Sequence, residues 1–428
     1  MEQKLRHSYW IPTNREIENL LNSYLAEIEY VYQKYKMAIP VYILDSGNEY
    51  IEKLNREAVA KVSRKYPHLD FYYLDFNSQK YVMRYIIAES KLSHQFERYF
   101  IINSVNYGAV MNKIYLLASA LNYDVIHRRD SDTYLQANAP FPLEKEIMYI
   151  GKPFNNGKEK YDCIYVVGSG YVGEWNIDLK QFLSADPELF RIFLSALDIP
   201  DERHDIYINS AKHDIEKYFI ADFDTIVYQD QNNKLHPVAG NFALYQLHKK
   251  FPNNPANFTL AADYFTFKMA VSLGYPMLVH ERRVFHAYHK ERREKDAVDR
   301  YLKSLFKFCD ASPVYYDLNQ EIKKACLIRK ECQVFETLEW ISQILIKSSE
   351  GNLIRRKRNL RNFIELFVSV VYPDIALDLK AKQENYMEEC MNDYKHHADL
   401  MKNWIILVHA AEKCNVFLTE QLKLVKIK

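Results

Sequence analysis

Glycine is scarce in this chain, at 10 of 428 residues, and none lies in the first strand-like stretch, Tyr9-Trp-Ile-Pro-Thr-Asn-Arg15. The glycine-rich phosphate loop that a nucleotidyltransferase usually carries near its first strand is therefore missing. Cysteine is rarer still: the six residues at 163, 309, 326, 332, 390 and 414 include no C-x-x-C pair, which argues against a disulfide framework and against a cysteine zinc site. Net charge is also lacking, because 57 Lys plus Arg stand against 56 Asp plus Glu, for +1. No global field draws such a chain to nucleic acid or to a membrane surface, so partners must be recognised locally. The start, Met1-Glu-Gln-Lys-Leu-Arg-His-Ser8, has no apolar leader, and no apolar run reaches the roughly 18 residues that a membrane span needs. The expectation is a cytoplasmic protein without a membrane span and without a nucleic-acid partner.

What is present is an ordinary globular composition, 48% hydrophobic and 26% charged, in a chain longer than one core usually holds. Two domains are expected. The segment Tyr9–Arg15 reads as a strand that stops at Pro12, with Thr13 and Glu16 spaced as a capping box for a helix carrying Ile17, Leu20, Leu21, Tyr24, Ile28 and Val31 on one face. Pro40-Val-Tyr-Ile-Leu-Asp45 is a second strand, and a helix bearing Ile51, Leu54, Ala58, Val59 and Val62 follows it. Asp70-Phe-Tyr-Tyr-Leu-Asp75 is a third strand, a helical stretch runs from about Ser78 to Glu97, and Asn106-Tyr-Gly108 opens a further helix through Leu121. Alternation of this kind predicts an α/β fold with a Rossmann-type, mainly parallel sheet flanked by helices.

The organising stretch is Asn122–Tyr134, in which a short apolar run at Asp124–Ile126 leads into His127-Arg-Arg129 and then Asp130-Ser-Asp132. Residues two apart in a strand share a face, so Asp130 and Asp132 can converge on one hard cation, Mg²⁺ or Mn²⁺, whose remaining positions take phosphate oxygens. The plainer reading is a solvated turn, since Asp and Ser favour turns. Context favours the first. Asn14, Arg15, Asp45, Asp75, Asp130 and Asp132 all sit just after predicted strands, where ligands bind in open α/β sheets.

Farther on, Ile147–Gly151 and Cys163–Gly168 read as strands. Gly168-Ser-Gly170-Tyr-Val-Gly173 has the look of a dinucleotide fingerprint, but no good helix follows at once, so it reads as a bend or an acceptor-side loop. Residues 178–220 look largely helical, with Asp201–Asp205 as a solvated loop within them. His236-Pro-Val-Ala-Gly-Asn241 is expected to precede a helix. Leu260–Gly274 is a helix closed by its glycine, and Pro276-Met-Leu-Val279 is a strand leading to Val284-Phe-His286-Ala-Tyr-His289.

With these segments in order, residues 8–292 resemble the nucleotide-sugar-binding half of GT-A-fold glycosyltransferases, in particular the large family with a Pro-Thr-x-Asn-Arg start. Ile11-Pro-Thr-Asn-Arg15 is similar to that start with one residue missing, Leu44-Asp-Ser-Gly47 resembles the second-strand Asp that holds the base, and Gly108–Asn112 resembles the small-residue helix that leads to the Asp-x-Asp metal motif. The resemblance implies a donor site of Pro12, Asn14, Arg15, Asp45, Asn112, Arg129 and Asp130, and a metal set of Asp130, Asp132 and either His286 or His289. It also implies Asp263 as catalytic base, although the same position near a helix start suits a capping Asp. The family's usual strand before the motif is apolar, and His127-Arg-Arg129 departs from it; two arginines there can meet phosphates.

The expected activity is metal-dependent transfer of a sugar from a nucleoside diphosphate, a UDP-sugar first, to a small-molecule, glycan or peptide acceptor. A nucleotidyltransferase and a noncatalytic nucleotide-sugar-binding protein remain the alternatives. From Glu291 onward the chain turns basic and helical, with Phe335, Leu338, Ile341 and Leu345 on one face and a basic run at Arg355–Arg358. The division is therefore 1–292 as the catalytic domain and 293–428 as an all-helical accessory domain that packs on it or forms a homo-oligomer.

Overall fold

The computed structural model describes residues 4–427 other than 103–105, 156, 158, 174–182, 185, 197–200, 213–215, 218–222, 229–235, 239, 258, 260–261, 288–293 and 329–333. The N-terminal third alternates as the periodicity requires: β1 (His7–Thr13), α1 (Glu18–Tyr35), β2 (Val41–Asp45), α2 (Glu49–Lys65), β3 (Phe71–Leu74), α3 (Phe76–Ser90), α4 (Tyr107–Ala120) and β4 (Val125–Arg129). Both β1 and β4 are buried almost throughout, as strands covered on two faces should be. Side chains close the helix starts. Asn48, Asp75 and Asn106 accept from the amides of Ile51, Ser78 and Ala109. The expected Thr13–Glu16 capping box does not form: the Thr13 hydroxyl braces Arg15, and the Ile17 amide donates to Asn55 across from α2.

The chain continues through β5 (Thr133–Leu135), α5 (Pro142–Tyr149), β6 (Phe154–Asn155), β7 (Lys160–Tyr161), β8 (Val166–Gly168), β9 (Tyr171–Gly173), α6 (Pro187–Ala196), α7 (Asp201–Lys212), β10 (Glu216–Lys217), β11 (Thr225–Val227) and β12 (Asn241–Tyr245). After these come α8 (Ala262–Ser272), β13 (Met277–Val279) and β14 (Val284–His286). Three local expectations change. Residues 147–149 end a helix rather than begin a strand, Asp201–Asp205 opens α7, and Asn241 begins a strand rather than a helix. That strand fills the sheet between β4 and β8, antiparallel to both.

Among the described residues the main sheet runs β11-β13-β8-β12-β4-β1-β2-β3-β15, with β15 at Lys426–Ile427. Pairings of β1 with β2 and β4, β2 with β3, and β8 with β13 are parallel, and the other four are antiparallel. The sheet is therefore mixed rather than mainly parallel. A second sheet, β10-β9-β14-β5, stands beyond the end of β4.

From Lys295 the described chain is helical, with α9 (Lys295–Ile328), α10 (Val334–Gly351), α11 (Leu353–Asn362), α12 (Pro373–Ala381), α13 (Gln383–Lys413) and α14 (Asn415–Val425), until β15 pairs with β3. No helix among the described residues is long and apolar enough to cross a membrane. One apolar cluster runs from Trp10, Tyr42 and Ile126 through Phe265 to Tyr315, Trp404 and Leu407, so the C-terminal helices share one core with the sheet and with α3 and α4, on which α13 packs. This packing holds the loop before α8 in place. His397 reaches the Pro252 carbonyl, Lys307 donates to the Asn257 carbonyl, and Trp404 donates to the His248 carbonyl.

Candidate active site at the end of β4

The alternation of β4 sends successive side chains to opposite faces, and the two faces differ in chemistry. His127 and Arg129 enter a buried polar network. Arg129 Nε and Nη2 lie 3.0 and 3.3 Å from the Glu27 carboxylate, Nη1 lies 2.8 Å from Glu146, and Tyr9 donates to Glu27 at 2.7 Å. His127 completes it, 2.6 Å from Glu146 and 2.9 Å from His7. Burial, with the Arg129 charge adding, pushes His127 down to about 3, so its ring is neutral at neutral pH.

Arg128 takes the other face, 2% exposed, and Nη2 donates to Asp130 at 2.7 Å. Its Nε and Nη1 are buried without a hydrogen-bond partner. The second Asp130 oxygen accepts from the Tyr171 hydroxyl at 3.0 Å, and that hydroxyl accepts from the Gly240 amide at 2.8 Å. Only glycine fits at 240, since a Cβ would stand 2.7 Å from the Asp130 Cβ.

Asp132 lies past the turn and meets different partners. Arg15 Nη1 is 3.2 Å from its Oδ2, and His286 Nε2 is 3.4 Å from the same oxygen. Strand pairing delivers the histidine: β14 sets His286 opposite Thr133 of β5 and opposite Gly173 of β9, and the Ala287 amide donates to the Asp132 carbonyl at 2.8 Å. The His286 ring stacks on Tyr171, with centroids 4.8 Å apart. Tyr171 thus touches both halves of the cluster, one through its hydroxyl and one through its ring. Asp263 stands in the first turn of α8. Burial pushes its carboxyl up to about 6; the Arg128 charge opposes that rise and the Asp130 charge adds to it.

The residues expected from sequence therefore divide. Arg15, Asp132 and His286 come together, Asp130 is linked to them through Tyr171, and Asp263 shares the field of Arg128 and Asp130. Pro12 lies in β1, in register with Leu44, and Asn14 is exposed just beyond that strand. Arg129 is corrected: expected to face phosphates, it is sealed on the opposite face between Glu27 and Glu146. Asp45 is fully buried, its carboxylate accepting from the Gly47 amide at 2.7 Å, Asn55 at 2.6 Å and Tyr73 at 2.7 Å. Asn112 is likewise committed inward, trading two hydrogen bonds with the Asn253 backbone. His289 lies outside the described residues.

Of Arg128 and Tyr171, sequence reasoning allowed the first to meet phosphates but left it out of the donor set, and it passed over the second. A signal existed for the first, because Arg128 has the parity of Asp130 and Arg129 does not. For Tyr171 there was none, since only the second sheet brings it to β4.

Two carboxylates and an imidazole are a donor set of the kind Mn²⁺ or Mg²⁺ takes, and Asp132 Oδ2 stands 3.4 Å from His286 Nε2. Among the described residues no three His, Cys, Asp or Glu side chains gather around one point, because Asp130 is turned to Arg128 and Tyr171.

Comparison with known proteins gives three findings. The model of a family of unknown function, DUF6271, matches residues 7–420. No curated protein matches the sequence. Among solved structures, the mannosyltransferase PcManGT from Pyrobaculum calidifontis, in complex with GDP-Man and Mn²⁺, is similar with a TM-score of 0.39 and 12% identity, over 97% of this chain and 88% of that one.

Proposed function

The chain belongs to the DUF6271 family, whose function is unknown, and from its strand-end cluster we propose a glycosyltransferase that takes its sugar from a nucleoside diphosphate. The observation that carries this reading is a pair of charged clusters beyond the ends of β1 and β4, Asp132 with Arg15 and His286 and Asp130 with Arg128, bridged by Tyr171 and with Asp263 in the field of the second. Ligands of open α/β sheets bind beyond the carboxyl ends of strands, so these clusters occupy the expected place.

Each group has a task in such a reaction. The Arg15 and Arg128 guanidiniums offer N–H donors to phosphoryl oxygens. Asp130, Asp132 and His286 would hold Mn²⁺ or Mg²⁺, which when bound neutralises charge on the departing diphosphate. Asp263 takes the proton of an acceptor hydroxyl. Its raised pKa suits a base working near neutral pH, because it remains ionised there while binding a proton more readily than an ordinary carboxylate. The acceptor class is a hydroxyl on a small molecule, a glycan or a peptide.

Calorimetry with UDP- and GDP-sugars, with and without Mn²⁺, tests the reading on the wild type and on Asp132→Asn. The wild type is expected to bind one of the sugars in a Mn²⁺-dependent way, and Asp132→Asn is expected to lose about tenfold or more of that affinity, the equivalent of 1.4 kcal/mol. Equal binding by both proteins, or none by the wild type, would overturn it.

A further inference from the structure

Both carboxylates of Asp130-Ser-Asp132 already have a protein cation: Arg128 lies 2.7 Å from Asp130 and Arg15 lies 3.2 Å from Asp132. The two arginines are not equivalent. Arg15 keeps 25% of its side chain exposed, whereas Arg128 is enclosed. Yet the enclosed one is the incompletely satisfied one, with Nε and Nη1 buried and unpartnered. A buried donor without an acceptor is unfavourable, so most folded proteins avoid it.

The adjacent residue rules out poor pairing as a general property of this strand. Arg129 has all three guanidinium nitrogens engaged, by Glu27, by Glu146 and by the Arg128 carbonyl. Within β4 the deficit is confined to the arginine that pairs with Asp130. A planar guanidinium with two unused N–H directions is suited to two oxygens of one phosphoryl group, which a point charge could not hold in the same way.

We propose that Arg15 and Arg128 are exchangeable counter-ions: they hold Asp132 and Asp130 before a divalent cation binds, then give up those carboxylates and turn their N–H donors to the phosphoryl oxygens of the ligand. The proposal rests on the glycosyltransferase reading and deepens it. Metal and arginine then compete for the same carboxylates, while metal and diphosphate cooperate through the same arginines. Removing an arginine should have opposite effects on the two ligands, a pattern that simple loss of structure does not produce.

The experiment is titration with MnCl2 alone, followed by paramagnetic resonance, and then with UDP and GDP at saturating Mn²⁺. The proteins are the wild type, Arg15→Met, Arg128→Met and Arg128→Lys, each checked for folding by circular dichroism. Arg15→Met is the variant least apt to unfold, since its side chain is partly exposed. For Arg15→Met, Mn²⁺ alone is expected to bind roughly threefold tighter, and for Arg128→Met about tenfold tighter, as loss of a competing charge at short range requires. Nucleoside diphosphate affinity is expected to fall by about tenfold in both, with Arg128→Lys intermediate because it keeps the charge and loses the fork. Unchanged or weaker Mn²⁺ binding in Arg15→Met overturns the exchange, whatever happens to Arg128→Met. A wild type that binds neither Mn²⁺ nor either nucleotide overturns the glycosyltransferase reading itself, and the two failures are thereby told apart.

Discussion

The two faces of β4 carry adjacent arginines that serve opposite ends. On the inner face, Arg129 is enclosed with Glu27, Glu146, His127 and His7, and nearly every polar atom meets another within the protein. On the outer face, Arg128 meets one carboxylate, leaves two nitrogens unpartnered, and shares its field with Asp130 and Asp263. A completed network fixes a strand in place and can do little else. An incomplete one leaves N–H donors that a ligand could take up. On the proposed function the inner face holds the strand and the outer face meets the ligand, though both present arginine and carboxylate.

The comparison is broken most severely at Arg129. Arg129→Met leaves Glu27 and Glu146 buried without their cation, and removal of one member of a buried pair typically destabilises by about 3–5 kcal/mol. Chemical denaturation should show a loss of that size, or no folded protein; a loss under about 1 kcal/mol would mean that the inner network contributes little to holding β4.

Next in size is Asp263. If it is the base, Asp263→Asn lowers transfer by roughly 10²–10⁴-fold and leaves nucleotide affinity and stability near wild type, because Asn still caps a helix. The wild-type rate should rise with pH through about 6 as the carboxyl ionises, and the variant should lose that limb. Transfer within a few-fold of wild type would assign Asp263 to helix capping.

The smallest expected effect at neutral pH is at His127, whose pKa is depressed to about 3 in the folded protein by burial. A depressed histidine contributes stability above its unfolded pKa of about 6.5 that is lost progressively as pH falls towards the folded value, by at most about 1.4 kcal/mol per pH unit. His127→Gln should flatten the stability profile between those limits by up to that slope, with a modest loss at neutral pH. An unaltered slope would show that other buried histidines, such as His248, His280 and His397, carry the acid sensitivity.

Much of the N-terminal third was legible because its signals are local. The apolar spacing of Leu20, Leu21, Tyr24 and Ile28 gives α1 its buried face, and the end of β4 brings carboxylates where the run Asn122–Tyr134 suggested. Asn241–Tyr245 was misread because a short apolar segment after a turn suits a strand or a helix equally, and only a vacancy between β4 and β8 decides for the strand. Pairing Arg129 with phosphates was an error of a different kind, correctable from parity alone.

By itself, the sequence determined which segments are helices or strands where periodicity was long, and it determined that acidic and basic residues follow β1 and β4. Those properties depend on neighbours within a turn or two of chain. Which carboxylate meets which cation was decided by tertiary structure, since Arg15 and Asp132 are 117 residues apart and Tyr171 lies 41 from Asp130. The same holds for the C-terminal helices, whose apolar faces were evident but whose packing on α3 and α4 was not. Contacts at such separations depend on how sheets stack and strands pair, and no local pattern of residues encodes that geometry.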